Sequence, residues 1–160
     1  MSDISVVKRN GQVEEFHLSK IHDMVDHACR GLAGVSESAV EMNANLQVFD
    51  GIKTSDIQEI LIRSANDLIT LEAPNYQFVA ARLLLFGLRK QVYNGHPDLR
   101  PHIQEHVWDC IERGVYDESI LKAYSDDEWD QIDSFVDHDR DYLFTYAGLR
   151  QVVDKYLVQD

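Results

Sequence analysis

Asn10-Gly11 constrains the start of this fold more tightly than any other dipeptide in the chain. A two-residue type I′ turn needs φ > 0 at both central positions, and Asn-Gly is the pair that best tolerates this. The dipeptide therefore predicts a β-hairpin in which Arg9 faces Gln12, Lys8 faces Val13 and Val7 faces Glu14. Lys8 and Arg9 then lie at the tip of a small ribbon. Ser19 is placed to cap a helix that opens with Lys20 and Ile21. Cations and the free N–H groups of a helix N-terminus both favour anions, so this corner is a candidate place for a phosphate chain. It is not a P-loop, because Gly-x-x-x-x-Gly-Lys-Ser/Thr occurs nowhere in the chain.

Beyond the hairpin the apolar spacing is helical. Ile21, Met24, Val25, Ala28, Cys29 and Leu32 form one stripe that ends near Gly31 and Gly34. Ser36 can cap a second helix, with Val35 and Val40 as a hydrophobic staple. Val48-Phe49-Asp50-Gly51-Ile52 reads as a third short strand or extended loop. Thr54 is expected to cap a third helix whose stripe is Ile57, Ile60, Leu61, Ala65 and Leu68. Pro74 suits the first turn of a fourth helix over 75–93, apolar on several faces as a central bundle helix would be.

Asn94-Gly95-His96-Pro97 marks a boundary, and the charge changes across it. Residues 1–95 carry nine Lys/Arg against 12 Asp/Glu, whereas residues 96–160 carry six against 16. The second stretch also reads as helical. Ile103, Val107, Cys110 and Ile111 share a stripe, Ser125-Asp126-Asp127-Glu128 is a capping box before Trp129, Ile132 and Val136, and a last helix is expected from about 141 to 155. A chain of this length suits one domain, or a small domain plus part of another. It stops at Leu157-Val158-Gln159-Asp160 without a terminating signal, so a piece of something larger is expected.

The net charge of −13 argues against free nucleic acid as a partner, since binding it requires a surplus of cations. A mononucleotide needs only a local cationic pocket. No apolar run approaches the roughly 20 residues that span a bilayer, and no leader follows Met1-Ser2-Asp3. Cys29 and Cys110 make no spacing motif and fit free thiols in a reducing cytoplasm.

Lys8, Arg9, Lys20, Thr54 and Lys90 are the candidate ligand groups; the plainer reading makes them solvated cations and an ordinary helix cap. His102, His106 and Cys110 recur every four residues, and two histidines so spaced can share a metal, but no second element offers a complementary pair. The acidic run Asp137-His138-Asp139-Arg140-Asp141 reads as caps and ion pairs. Glu14 and Glu15 alternate across a strand and cannot form a dyad. No nucleophile has a base partner, so no catalytic residue is assigned. The residues by themselves describe a binding module.

Val7-Lys8-Arg9-Asn10-Gly11, the run 14–21, Asp50-Gly51-Ile52-Lys53-Thr54-Ser55-Asp56-Ile57, Tyr76-Gln77-Phe78-Val79-Ala80-Ala81-Arg82-Leu83 and Leu88-Arg89-Lys90 resemble the ATP-cone, an allosteric module of ribonucleotide reductases. Gly114-Val115-Tyr116-Asp117, Phe135-Val136-Asp137-His138-Asp139-Arg140-Asp141 and Lys155-Tyr156-Leu157-Val158-Gln159 resemble the large, catalytic subunit of the aerobic class I enzymes. The resemblance implies a mainly α fold, in which a short β-sheet caps a four-helix bundle and a helical segment follows. Residues 1–95 would be the cone and residues 96–160 the start of the large-subunit body.

The same resemblance implies ATP as activator and dATP as inhibitor, bound with Mg2+, in a cytoplasmic enzyme of deoxyribonucleotide synthesis. The implied contacts are Lys8, Arg9, Glu14, Glu15, Phe16, His17, Leu18, Ser19, Lys20, Ile21, Thr54, Gln58 and Lys90. The cations and Thr54 would hold phosphates, and the segment 14–20 would frame adenine and sugar. At Gln58 the family pattern has a histidine, and glutamine carries no charge. Implied partners are the rest of the large subunit, the radical-generating small subunit and other copies of the cone, with neither nucleic acid nor membrane. The radical and redox cysteines of the family have no counterpart in Cys29 or Cys110, so the chain alone is not expected to be catalytic. A repressor of reductase genes also carries an ATP-cone, but behind paired Cys-x-x-Cys motifs that this chain lacks. A generic helical interaction module is the remaining alternative, and nucleotide titration separates it from the first reading.

Overall fold

A computed structural model describes residues 4–44 and 49–158. Its sheet has three short strands, β1 (Ser5–Val7), β2 (Val13–Glu15) and β3 (Ile52–Lys53), in the order β2-β1-β3. β1 runs antiparallel to β2 and parallel to β3. The hairpin is present, but its register is one residue from the expected one: Val7 pairs with Val13 and Val6 with Glu14. The turn is the reason. Gly11 N–H donates to the Lys8 carbonyl (2.9 Å) and Lys8 N–H to the Gln12 carbonyl (2.8 Å), which makes a three-residue loop. Gly11 has φ 81°, whereas Asn94 is the only non-glycine with positive φ among the described residues. Asn10 therefore stays out of the left-handed region, and its side chain instead accepts from Gln12 N–H at 3.1 Å. A type I turn closed by a glycine bulge needs one positive φ rather than two. The slip sets Lys8 on the same face as Val6 and Glu14, because each strand position turns its side chain to alternate faces.

Phe16 N–H donates to the Ile4 carbonyl (2.8 Å), and the Phe16 ring packs on the core. The chain leaves the sheet at once, and α1 (Leu18–Cys29) begins earlier than expected. His17 is its N-terminal flanking residue, and Ser19, inside the first turn, caps nothing. α2 (Glu37–Ala44) matches expectation: Ser36 Oγ accepts from Ala39 N–H at 3.3 Å, Val40 is buried and Val35 packs against the core.

The predicted strand near 48–52 is realised as β3, with Val48 outside the described residues. α3 (Thr54–Asp67) follows β3 without a spacer. Lys53, still extended, takes the capping position, so Thr54 is the first helical residue and not the cap. α4 (Tyr76–Val92) is the central helix and packs on both α1 and α3. Its buried positions Val79, Ala80, Leu83 and Leu84 lie on more than one face, as the sequence implied.

The later helices are α5 (Ile103–Glu112), α6 (Ser119–Lys122), α7 (Asp126–Ser134) and α8 (Tyr146–Lys155). α8 starts five residues later than the expected 141, because a 3₁₀ turn, His138–Leu143, precedes it and Thr145 Oγ1 caps it by accepting from Gly148 N–H. Arg89 of α4 holds Asp141 of that turn at 2.7 Å. α8 packs on α4, and Leu149 joins the same apolar core as Val25, Leu61 and Leu83. Among the described residues no helix is long and apolar enough to cross a membrane.

The capping box at α7 is formed: Glu128 N–H donates to Ser125 Oγ (3.4 Å), and Ser125 N–H donates to Glu128 Oε2 (2.8 Å). Ser125→Ala should therefore destabilise the chain by about 1 kcal/mol. Urea unfolding measures this, and a change below about 0.3 kcal/mol would show that the box contributes nothing.

Candidate functional site

The hairpin, the first turns of α1 and α3 and the end of α4 surround a cavity of about 810 Å³. Because the register turns Lys8 and Glu14 to one side of the ribbon, they meet there. Lys8 Nζ lies 2.7 Å from Glu14 Oε2, and Lys20 Nζ lies 3.1 Å from Glu14 Oε1. Hydrogen bonds from Lys8 and then Lys20 hold the Glu14 carboxyl below its ordinary range. One carboxylate thus bridges an ammonium from the hairpin and one from α1.

Arg9, at the hairpin tip, reaches across to α4 and donates Nη1 to the Gly87 carbonyl at 2.8 Å. Burial lowers its pKa, opposed by Glu59. Lys90 lies one turn further along α4. Its ammonium stands 4.5 Å from the centre of the Phe86 ring and has no ion pair or hydrogen bond among the described residues. Burial lowers the Lys90 pKa, and the nearby Arg9, Lys20 and Lys8 charges lower it further, against Glu14. Four cations from three elements therefore converge, and Lys90 has no ion pair of its own among the described residues.

Thr54 and Gln58 enter from the first turns of α3, four residues apart and so on one face. Gln58 is buried, and its amide nitrogen donates one N–H to the Leu83 carbonyl at 2.7 Å. That bond ties α3 to α4, and the amide keeps a second N–H beside the cavity that Gln58 lines.

Of the other residues expected at a site, Glu15, Phe16, His17 and Ile21 line the cavity. Leu18 and Ser19 do not; they stand exposed on the first turn of α1. Met24, Ile57, Asn94, Gly95 and His96 also line it and were not expected there. Met24 and Ile57 carry the same apolar signal as core positions, so periodicity alone could not separate them. In sequence Asn94-Gly95-His96-Pro97 signals only a boundary; in the fold the left-handed Asn94 (φ 50°) turns the chain back over the end of α4. Outside the cavity, His102 caps α5 by accepting from Gln104 N–H (3.3 Å), and His106 lies 3.8 Å from Cys110 Sγ. Among the described residues no group of three or more His, Cys, Asp or Glu is placed to hold a metal ion.

Similarity to known proteins follows the same outline. The family model described as the ATP cone domain matches residues 4–91. The chain is 46% identical over 158 residues to ribonucleoside-diphosphate reductase 1 subunit alpha of Escherichia coli (strain K12), covering 99% of this chain and 20% of that protein. It is 45% identical over 157 residues to the corresponding subunit alpha of Haemophilus influenzae, covering 98% and 20%. It is 40% identical over 162 residues to that of Enterobacteria phage T4, covering 100% and 21%. The chain thus spans about a fifth of the length of these relatives.

Proposed function

This chain belongs to the ATP-cone family, and on that premise we propose that its cavity binds an adenine nucleotide, ATP or dATP, as the allosteric effector of a ribonucleotide reductase. The observation that carries this reading is Lys90: a half-buried ammonium without a carboxylate of its own, depressed by burial and by three neighbouring cations. Such a cluster is electrostatically unfavourable until an anion enters it, and a phosphate chain supplies several charge-assisted acceptors at once.

Lys8, Arg9, Lys20 and Lys90 take the phosphates, and Thr54 offers its hydroxyl beside the N–H groups at the start of α3. Phe16, His17 and Ile21 supply the wall for base and sugar. Glu14 and Glu15 leave the cavity cationic but only moderately so, which suits a triphosphate whose charge is part-neutralised by Mg2+. The role is regulatory. Residues 1–95 form the effector module and residues 96–160 the start of a cytoplasmic reductase large subunit, so the partners are the rest of that subunit, the small radical-generating subunit and further cones. The similarity to a reductase subunit covers 99% of this chain, well beyond the cone match at residues 4–91, and this favours the reading over a repressor, where the second stretch would have no counterpart.

Thermal melting with ATP, dATP and GTP tests the reading. Either adenine nucleotide at 100 times its Kd should stabilise the chain by about 2.7 kcal/mol. GTP should do less, because its base edge presents different donors and acceptors. If millimolar ATP and dATP both leave the melting temperature unchanged, the cavity is not a nucleotide site.

A further inference from the structure

The turn that ends α4 calls for a left-handed residue. Gly95 N–H donates to the Lys90 carbonyl (2.7 Å), and His96 N–H donates to the Tyr93 carbonyl (3.0 Å). In a helix end closed this way the residue before the first of these donors takes positive φ, and it is most often glycine. Here it is Asn94, at φ 50°. The six other positive φ values among the described residues all belong to glycines. At Asn94 the chain therefore keeps a side chain where glycine would serve the backbone as well.

Four amide side chains line the cavity: Asn10, Gln58, Gln91 and Asn94. Asn10 is tied to Gln12 through both ends of its amide, and Gln58 gives one N–H to the Leu83 carbonyl. Gln91 and Asn94 make no side-chain hydrogen bond among the described residues. Gln91 occupies an ordinary exposed helical position, where glutamine is expected on propensity alone. Asn94 has no such explanation. It follows Lys90 by four residues, in the turn that closes on the Lys90 carbonyl itself.

We propose that Asn94 completes the nucleotide site, donating its side-chain amide to the phosphate chain that Lys90 holds. This deepens the nucleotide reading and rests on it. The amide brings two N–H donors, and phosphate oxygens accept them. The family match ends at residue 91, so the contact comes from the connection between α4 and α5, and the effector grips that connection at its first turn.

The test is Asn94→Gly, which removes the amide and keeps the backbone conformation. Without ligand its melting temperature should stay within about 4 °C of the parent. By calorimetry its affinity should fall about tenfold, and by the same factor for ATP, GTP and inorganic tripolyphosphate, because the contact is to phosphate. Bound tripolyphosphate should slow exchange of the Gly95 and His96 amides about threefold or more in the parent and leave them unchanged in Asn94→Gly. Asn94→Asp also tolerates the left-handed region but lacks the donors, and should lose about tenfold or more. It carries the test if glycine loosens the turn. An ATP affinity within twofold of the parent in both variants, or a loss for ATP that tripolyphosphate does not share, would overturn the contact. A parent that binds tripolyphosphate but not ATP would overturn the nucleotide reading and leave the contact standing. A parent that binds neither would overturn both.

Discussion

Lys90→Glu should lower adenine-nucleotide affinity about 100-fold or more while leaving the free protein at least as stable as its parent. The two signs have one origin. In the free chain Lys90 is pressed by burial and by Arg9, Lys20 and Lys8, so replacing it with a carboxylate relieves repulsion and supplies a further counter-charge. With a phosphate chain in the cavity the same change removes a charge-assisted contact, at about 1.5–3 kcal/mol, and sets like charges together. Calorimetric titration reads the first effect and thermal melting the second. An affinity within threefold of the parent would remove Lys90 from the site.

The depressed Lys90 pKa adds a pH signature. A bound phosphate favours the protonated amine and raises its pKa, so the amine is fully charged and affinity complete below the free-state value. As pH rises through that lowered value toward the ordinary 10.5, affinity falls, and binding becomes coupled to proton uptake. Titrations in buffers of different ionisation enthalpy report the uptake, and Lys90→Glu should abolish it.

Asp141→Ala should cost about 2 kcal/mol of stability. Its partner Arg89 is nearly buried, with 9% of its side chain exposed, whereas Asp141 is 37% exposed. Removing one member of a fully buried pair costs about 3–5 kcal/mol, since the remaining charge is stranded. The lower figure follows from the exposure of Asp141 and from the partners Arg89 keeps, the His138 carbonyl at 3.4 Å and the Tyr142 hydroxyl at 3.5 Å. Tyr142 is itself held from two sides, with Arg82 and Arg89 at 5.4 and 5.6 Å from its ring centre. Urea denaturation measures the loss, and Asp141→Asn, which keeps an acceptor, should cost about half as much. A loss below about 0.5 kcal/mol for the alanine variant would show that the pair does not hold the 3₁₀ turn to α4.

The helices and the cationic corner were legible because each rests on local chemistry. Apolar spacing placed α1 to α4, Ser36 and Ser125 cap where expected, and Lys8, Arg9, Lys20 and Lys90 all face one cavity. The misses have non-local causes. Nothing in Asn10-Gly11 distinguishes a two-residue turn from a bulged three-residue one; the pairing of Phe16 with Ile4 and the burial of Val6 fix the register. Ser19 and Thr54 have the composition of caps, but the extended residues His17 and Lys53 precede α1 and α3 and take the capping positions themselves. α8 starts late because a 3₁₀ turn precedes it, and that turn is held at Asp141 by Arg89, 52 residues earlier in the chain.

The shared core of α4 and α8 bears on how such a module can travel between proteins. The family match stops at residue 91, yet the strip of α4 beyond the cavity is roofed by Leu149, with Tyr142, Tyr146 and Val153 beside it. A crossover placed at the end of the match would carry the cavity into a new host with that strip bare and Arg89 without its carboxylate. Recombination that exchanges cones, in a lineage or at the bench, therefore has two viable breakpoints. It can take the sequence through Lys155, roof included, or it can join a host whose own first helices offer an apolar ridge and an acid in the same places.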